Sequence, residues 1–261
     1  MATNGAGFTE SLVHAPVSTQ GPFAYRAGLG LMTSAEYCTH FDDFIQFIVG
    51  ATAITNGPGD YTPTGWTDAI IDTGATLAQD TTAGHSTGVI KMADATASEG
   101  VAIYMPKSIQ LTAGKKFFME LRVKTDDVTD NAIQFGLSDL TAVTNPEDLW
   151  TTTAANLVTF GILDGAATTS MLCDKSNSGS TAETGSRSMV ANTWHTLAIS
   201  YDGASTVKGW VDGYVSNTWA QTFASTVPVG VALAPFIGVL NGNGAGGNNN
   251  YIDFFRFAIQ R

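Results

Sequence analysis

The chain has 261 residues and a mass of 27.3 kDa, with 12 Lys and Arg against 23 Asp and Glu and a net charge of −11. That balance opposes binding to a phosphate backbone, which needs clustered cations to release counterions, so nucleic acid is excluded as a direct partner. Charged residues make up only 13% of the chain, against a usual ~25%, which suits a surface covered by neighbours or exposed to harsh conditions; no apolar run approaches the roughly eighteen residues of a membrane span.

Residues 1–40 read as an extended arm. Gly5, Gly7, Pro16, Gly21, Pro22, Gly28 and Gly30 break any sustained period. Phe8, Phe23, Tyr25, Leu29 and Leu31 nevertheless make it too apolar for a solvated tail, so these five are the expected contacts with a neighbour, a sister subunit or the chain's own domain. The opening MATNGAGFTES has neither the basic start nor the apolar stretch of a signal peptide, and the expectation is a protein made in the cytoplasm.

From Phe41 the pattern becomes β, and residues 41–261 read as one domain. Phe41-Asp42-Asp43-Phe44 leads into an alternating strand through Ile45, Phe47 and Val49, and Gly57 to Trp66 reads as a loop. Short strands are predicted at 89–92, 101–105, 117–123, 157–163, around 171–173 and at 189–190. Asn145-Pro146-Glu147-Asp148 reads as a turn into a short helix at most, and Ser176 to Ser188 as a polar loop.

The clearest signal runs from Trp194 to Gly213. Leu197, Ile199 and Tyr201 alternate with Thr196, Ala198 and Ser200; Asp202-Gly203 then turns the chain into a second run, Val207 to Val211, closed by Asp212-Gly213. Strands at 233–240 and 251–259 finish the domain, joined by NGNGAGGNNN at 241–250.

The Trp-His opening, the alternating strand, Tyr-Asp-Gly and Val-Asp-Gly resemble the hairpin of laminin-G and concanavalin A-like jelly rolls. Phe117–Lys124 is similar to that family's long strand, Gln134–Asp139 to its partner and Ile252–Ile259 to its closing strand. The resemblance implies an all-β fold: an antiparallel two-sheet jelly-roll sandwich with an extended N-terminal arm. Lectins, hydrolases and structural proteins share that sandwich, so it does not by itself assign a function.

The Phe-Asp-Asp-Phe opening, Gly65-Trp66 and the Ser-Thr-Gly-Val-Ile at 86–90 resemble the start of laminin-G-like virion proteins of tailed bacteriophages. That resemblance implies a virion structural protein, a decoration protein on the capsid exterior. Its partners would be the major capsid protein and sister subunits in a homo-oligomer, with trimer as one arrangement. The rival is a lectin-like module of a phage fibre or a secreted protein. Trp66, Trp219 and Asn248 of the Asn-rich loop are its candidate glycan contacts, with Trp150 and Trp210 as further aromatic residues.

A glycoside hydrolase is the third reading, and it requires two carboxylates about 5–9.5 Å apart. Glucanases of this sandwich carry Glu-x-Asp-x-x-Glu on one strand, whereas FFMELRVKT offers Glu120 alone, with Arg122 where a second acid is wanted. Glu120 and Arg122 share a face and are expected in a cross-sheet polar ladder, and no catalytic residue is assigned. Cys38 and Cys173 stand in no metal-binding spacing, and nothing groups His14, His40, His85 or His195 with them. No acid lies inside 241–250 to make a calcium site, so no metal or cofactor is expected.

Overall fold

The computed structural model describes residues 37–42, 44, 54–55, 65–71, 74–80, 88–140, 154–176, 182–219, 227–242 and 247–261. Among them are seventeen strands and no helix. The first nine are β1 (Tyr37–Asp42), β2 (Ile54–Thr55), β3 (Thr67–Ile71), β4 (Thr76–Gln79), β5 (Ile90–Ala93), β6 (Gly100–Tyr104), β7 (Ile109–Gln110), β8 (Phe117–Thr125) and β9 (Asn131–Ser138). The remaining eight are β10 (Asn156–Leu163), β11 (Ala166–Lys175), β12 (Glu183–Ser188), β13 (His195–Tyr201), β14 (Val207–Val211), β15 (Tyr214–Trp219), β16 (Ala232–Asn241) and β17 (Asn249–Gln260).

All pairings between these strands are antiparallel, and they build two sheets. The nine-stranded sheet runs β15-β14-β13-β8-β17-β5-β4-β2, with β1 paired along the second half of β17. The eight-stranded sheet runs β12-β11-β10-β9-β16-β6-β3, with β7 on β16. The jelly-roll sandwich expected from the sequence is therefore present.

Period-two side-chain alternation decides what lies between the sheets. Met119, Leu121 and Val123 of β8, Leu197, Ile199 and Tyr201 of β13, and Phe255 of β17 point inward and are at most 1% exposed. From the other sheet they meet Ile133, Phe135, Leu137, Val158, Phe160 and Ile162, buried to the same degree. Phe135 and Phe160 stack edge to face, with centroids 6.4 Å apart and planes at 69°.

The hairpin read from the sequence is β13–β14, and a third strand, β15, follows it. Asp212 and Gly213 have φ of 50° and 81°, the left-handed pair that a two-residue turn between β14 and β15 requires. The Asp212 carboxylate accepts from Thr196 N at 2.8 Å and meets His195 Nδ1 at 2.7 Å. His195 Nε2 accepts from Val190 N at 2.9 Å. The buried His195 ring thus ties the loop after β12 to the β14–β15 turn, a structural role. Burial pushes the Asp212 carboxyl up, but the His195 and Thr196 hydrogen bonds outweigh it and hold it below the usual range.

Several expectations need correction. The stretch 176–188, read as a loop, contains β12, whose partner in the ladder is β11; its residues are half-buried or exposed, so no apolar alternation marked it. Met189–Val190 is not a strand but the connection that His195 holds. Strand β1 begins at Tyr37, ahead of the Phe41 boundary. Strands β2, β3, β4 and β7 were not foreseen, since most are short. The predicted strand at 45–49 and the turn at 145–148 lie outside the described residues.

Gly209 on β14 shows how closely the two sheets approach. A Cβ there would sit 2.4 Å from the Phe160 ring of the opposite sheet. We expect Gly209→Ala to displace Phe160 and cost roughly 1–3 kcal/mol, a fall in Tm of several degrees measured by thermal denaturation. An unchanged Tm would mean that the sheets separate freely at this point.

Candidate functional site

On the outer face of the nine-stranded sheet, β8, β13 and β14 present Phe118, Ser200, Lys208 and Trp210, the residues that alternate with the core positions. Together with Lys116, Tyr201, Asp202 and Thr206 they line a cleft of about 260 Å³. Trp210 is half-buried, and its Nε1 donates to Ser200 Oγ at 2.9 Å, which fixes the indole on the sheet surface.

The cleft wall is set by a side-chain clamp. Asp202 Oδ1 accepts from the backbone N–H of Ala204, Ser205 and Thr206 at 2.8, 3.0 and 3.0 Å, shaping the β13–β14 connection. Burial raises the Asp202 carboxyl, but these three donors outweigh it and hold it below the usual range. The site therefore combines an aromatic ring, an ionised carboxylate, two hydroxyls (Ser200 and Thr206) and two ammonium groups (Lys116 and Lys208). Such a set has the chemistry to meet a hydroxyl-rich ligand through an apolar face and several directed hydrogen bonds.

The middle of the same face carries a buried ion pair. Arg256 Nε and Nη2 donate to Glu120 Oε2 at 3.1 and 2.8 Å, and the two residues are register partners across β8 and β17. Arg122 pairs with Asp253. The ladder expected for Glu120 and Arg122 thus exists, with partners supplied by β17. Burial pushes the Glu120 carboxyl up while Arg256 opposes it. Held in this pair and about 7% exposed, Glu120 is not placed as a general acid toward a ligand.

At one end of the same face, cations and aromatic rings alternate across three strands and on to the residue before a fourth. Lys91 of β5, Tyr251 of β17 and Lys124 of β8 are cross-strand neighbours, and Trp194 stands immediately before β13. Lys91 Nζ lies 6.0 Å from the Tyr251 centroid, and Lys124 Nζ lies 4.4 Å from Tyr251 and 5.3 Å from Trp194. Arg122 adds a contact of 4.8 Å to Trp194. These are cation–π distances. The sequence reading missed this row, although the alternation of Arg122 and Lys124 with the core residues Leu121 and Val123 marks their face.

Of the sequence-derived glycan contacts, Trp66 and Asn248 lie away from the cleft, whereas Trp210, the further aromatic residue named with them, lines it. Trp66 is 5% exposed: its Nε1 donates to Asp42 Oδ2 at 2.7 Å, and its ring packs on Phe44 and Phe255. It is a core residue, because β1 carries Asp42 to it across 24 positions of sequence. Asn248 is likewise buried; its N donates to Asp94 Oδ1 at 2.8 Å and its Nδ2 to Asp130 O at 2.9 Å, so it holds the strand ends. The Trp219 side chain and the arm residues Phe8, Phe23, Tyr25, Leu29 and Leu31 lie outside the described residues, as do Trp150, His14, His85 and the Cys38 side chain. Cys173 is fully buried, and that burial raises its thiol well above the ordinary value.

No protein-family model matches the chain, and no curated protein matches it in sequence. Solved structures do share its fold. A protein of unknown function from Shewanella oneidensis MR-1 superposes with a TM-score of 0.56 at 16% identity, over 92% of this chain and 94% of that one. Arcelin-5, a lectin-like defence protein from Phaseolus vulgaris, gives 0.55 at 9% identity, over 86% and 98%. The carbohydrate recognition domain of Emp47p gives 0.54 at 12%, over 86% and 97%. The chain has the concanavalin A-like jelly-roll fold that its sequence resembles.

The polar end that holds Asn248 yields a prediction. Burial pushes Asp94 up to about 6; hydrogen bonds from Asn248 and Asn241 oppose this, while Asp126 and Glu99 add to it. Since the unfolded value is about 3.9, this group favours the folded state below pH ~4, and the advantage is lost as pH rises through about 6. Asp94→Asn should therefore match the wild type near pH 4 and exceed it by roughly 1–3 kcal/mol at neutral pH, read as a Tm difference that grows with pH. A difference that stays flat from acid to neutral pH would refute this account.

Proposed function

We propose that the protein is a carbohydrate-binding, lectin-like module and that the Trp210 cleft is its sugar subsite. The observation that carries this is the cleft itself: an indole pinned by Ser200, flanked by Asp202, Thr206, Lys116 and Lys208. An aromatic ring takes the apolar side of a pyranose, while the carboxylate and hydroxyls exchange hydrogen bonds with its OH groups. The lectin-like and carbohydrate-recognition structures that share the fold support the same reading. It takes precedence over the capsid-decoration reading because the Trp210 cleft and the lectin-like structures of the same fold both favour it.

A glycan array probed with the purified protein should give discrete signals. Trp210→Ala should weaken the best glycan by about tenfold or more while leaving Tm within a few degrees, because the ring is only half-buried. Incubation with the bound oligosaccharide should release no new reducing ends. A blank array, or full binding by the Trp210→Ala variant, would overturn the proposal.

A further inference from the structure

Six of the chain's twelve basic residues stand on one face of one sheet. Lys91, Lys116, Arg122, Lys124, Lys208 and Arg256 alternate with core positions on β5, β8, β14 and β17 or sit at the lip of the cleft. In a chain of net charge −11 this leaves the rest of the protein strongly acidic. Arg256 and Arg122 are balanced by Glu120 and Asp253, and the four lysines divide into two pairs at the two ends of the face. Lys116 and Lys208 flank Trp210; Lys91 and Lys124 flank Tyr251, with Trp194 beyond. Phe118 and Lys124 are six residues apart on β8, so the two ends lie roughly 20 Å apart at about 3.3 Å per residue.

We infer that the ligand is an extended acidic polysaccharide, lying along β8 from the Trp210 cleft to the Lys91–Tyr251–Lys124–Trp194 row. This rests on the carbohydrate-binding reading and names the ligand's class. Each end offers the same pairing of an aromatic ring with two ammonium groups. A uronate-type sugar meets that pairing with a C–H face for the ring and a carboxylate for the lysines. A neutral sugar leaves the second half of it unused. Polyphosphate chains fit worse: they bring no C–H face for the Trp210, Tyr251 and Trp194 rings and no hydroxyl to donate to Asp202.

The test is calorimetric titration of the full chain with oligogalacturonate and with a neutral gluco-oligosaccharide of equal length, at low and at raised salt. The acidic chain should bind about tenfold or more tighter at low salt, and the advantage should shrink as salt screens the lysines. Lys91→Ser with Lys124→Ser should remove most of that advantage without weakening the neutral chain, and Lys124→Arg should retain it. Trp210→Ala should weaken both ligands. Equal affinity for the two oligosaccharides, or an acidic preference untouched by the double substitution, refutes the inference and leaves the carbohydrate reading standing. Failure of both oligosaccharides to bind counts against the inference and the carbohydrate reading together. Displacement of oligogalacturonate by oligothymidylate at equal concentration would show a general polyanion surface and overturn the assignment to a glycan.

Discussion

The pairing of β8 with β17 runs from Thr125–Asn250 to Phe117–Ile259, and both faces of the nine-stranded sheet depend on it. Side-chain period in a strand is two, so a slip of one residue would carry Glu120, Arg122 and Arg256 into the core and expel Met119, Leu121 and Phe255. Burying those charges without partners costs several kcal/mol each, which makes this register strongly specified. The hydrogen-bonded Glu120–Arg256 pair spans the same two strands and is satisfied only in this register. A shift of phase between Ile252 and Phe254 leaves Asp253 as an extra residue, and its carboxylate reaches Arg122.

The outer face follows from that inner requirement. Once Leu121 and Val123 point inward, Arg122 and Lys124 must stand outward beside Tyr251 and Trp194. Once Leu197, Ile199 and Val211 are buried, Ser200 and Trp210 must meet on the surface. The proposed binding surface is thus the reverse side of the core, on rigid paired strands, with Asp202 and Thr206 supplied by the β13–β14 connection that the Asp202 carboxylate shapes. That rigidity suits a module that binds without remodelling, because little side-chain entropy remains to be lost.

Charge is scarce in this chain, and much of what it has is spent on local geometry. The Asp202 and Asp212 carboxylates each take backbone N–H groups, as Asp127 does through Thr129 and Asp130 and Glu99 through Ala95 and Thr96. Each of these four carboxyls is held below its usual range by its hydrogen bonds, for Asp212 chiefly the one with His195, against the opposing effect of burial. Their contribution is present above the unfolded value and fades as pH falls through the lowered one, the opposite sign to Asp94.

Local pattern alone determined the fold class and its clearest parts. Alternation over 195–201 and the two Asp-Gly turns identified the β13–β14 hairpin, and the apolar runs at 117–123, 157–163, 233–240 and 251–259 identified the central strands. Those signals are legible because a half-buried strand and a tight turn impose requirements on neighbouring residues. Strand β12 was invisible for the same reason, being a polar strand with no apolar alternation. Tertiary structure decided the site. Trp66 follows Gly65 in a stretch rich in Gly and Pro and became a core residue because Asp42 and Phe255 reach it from distant strands. Trp210 became a surface residue of a cleft because β8, β13 and the β13–β14 connection bring Phe118, Ser200 and Asp202 around it. Which residues meet on a sheet face depends on strand order and register, set by the packing of two sheets against each other, and no local pattern encodes that.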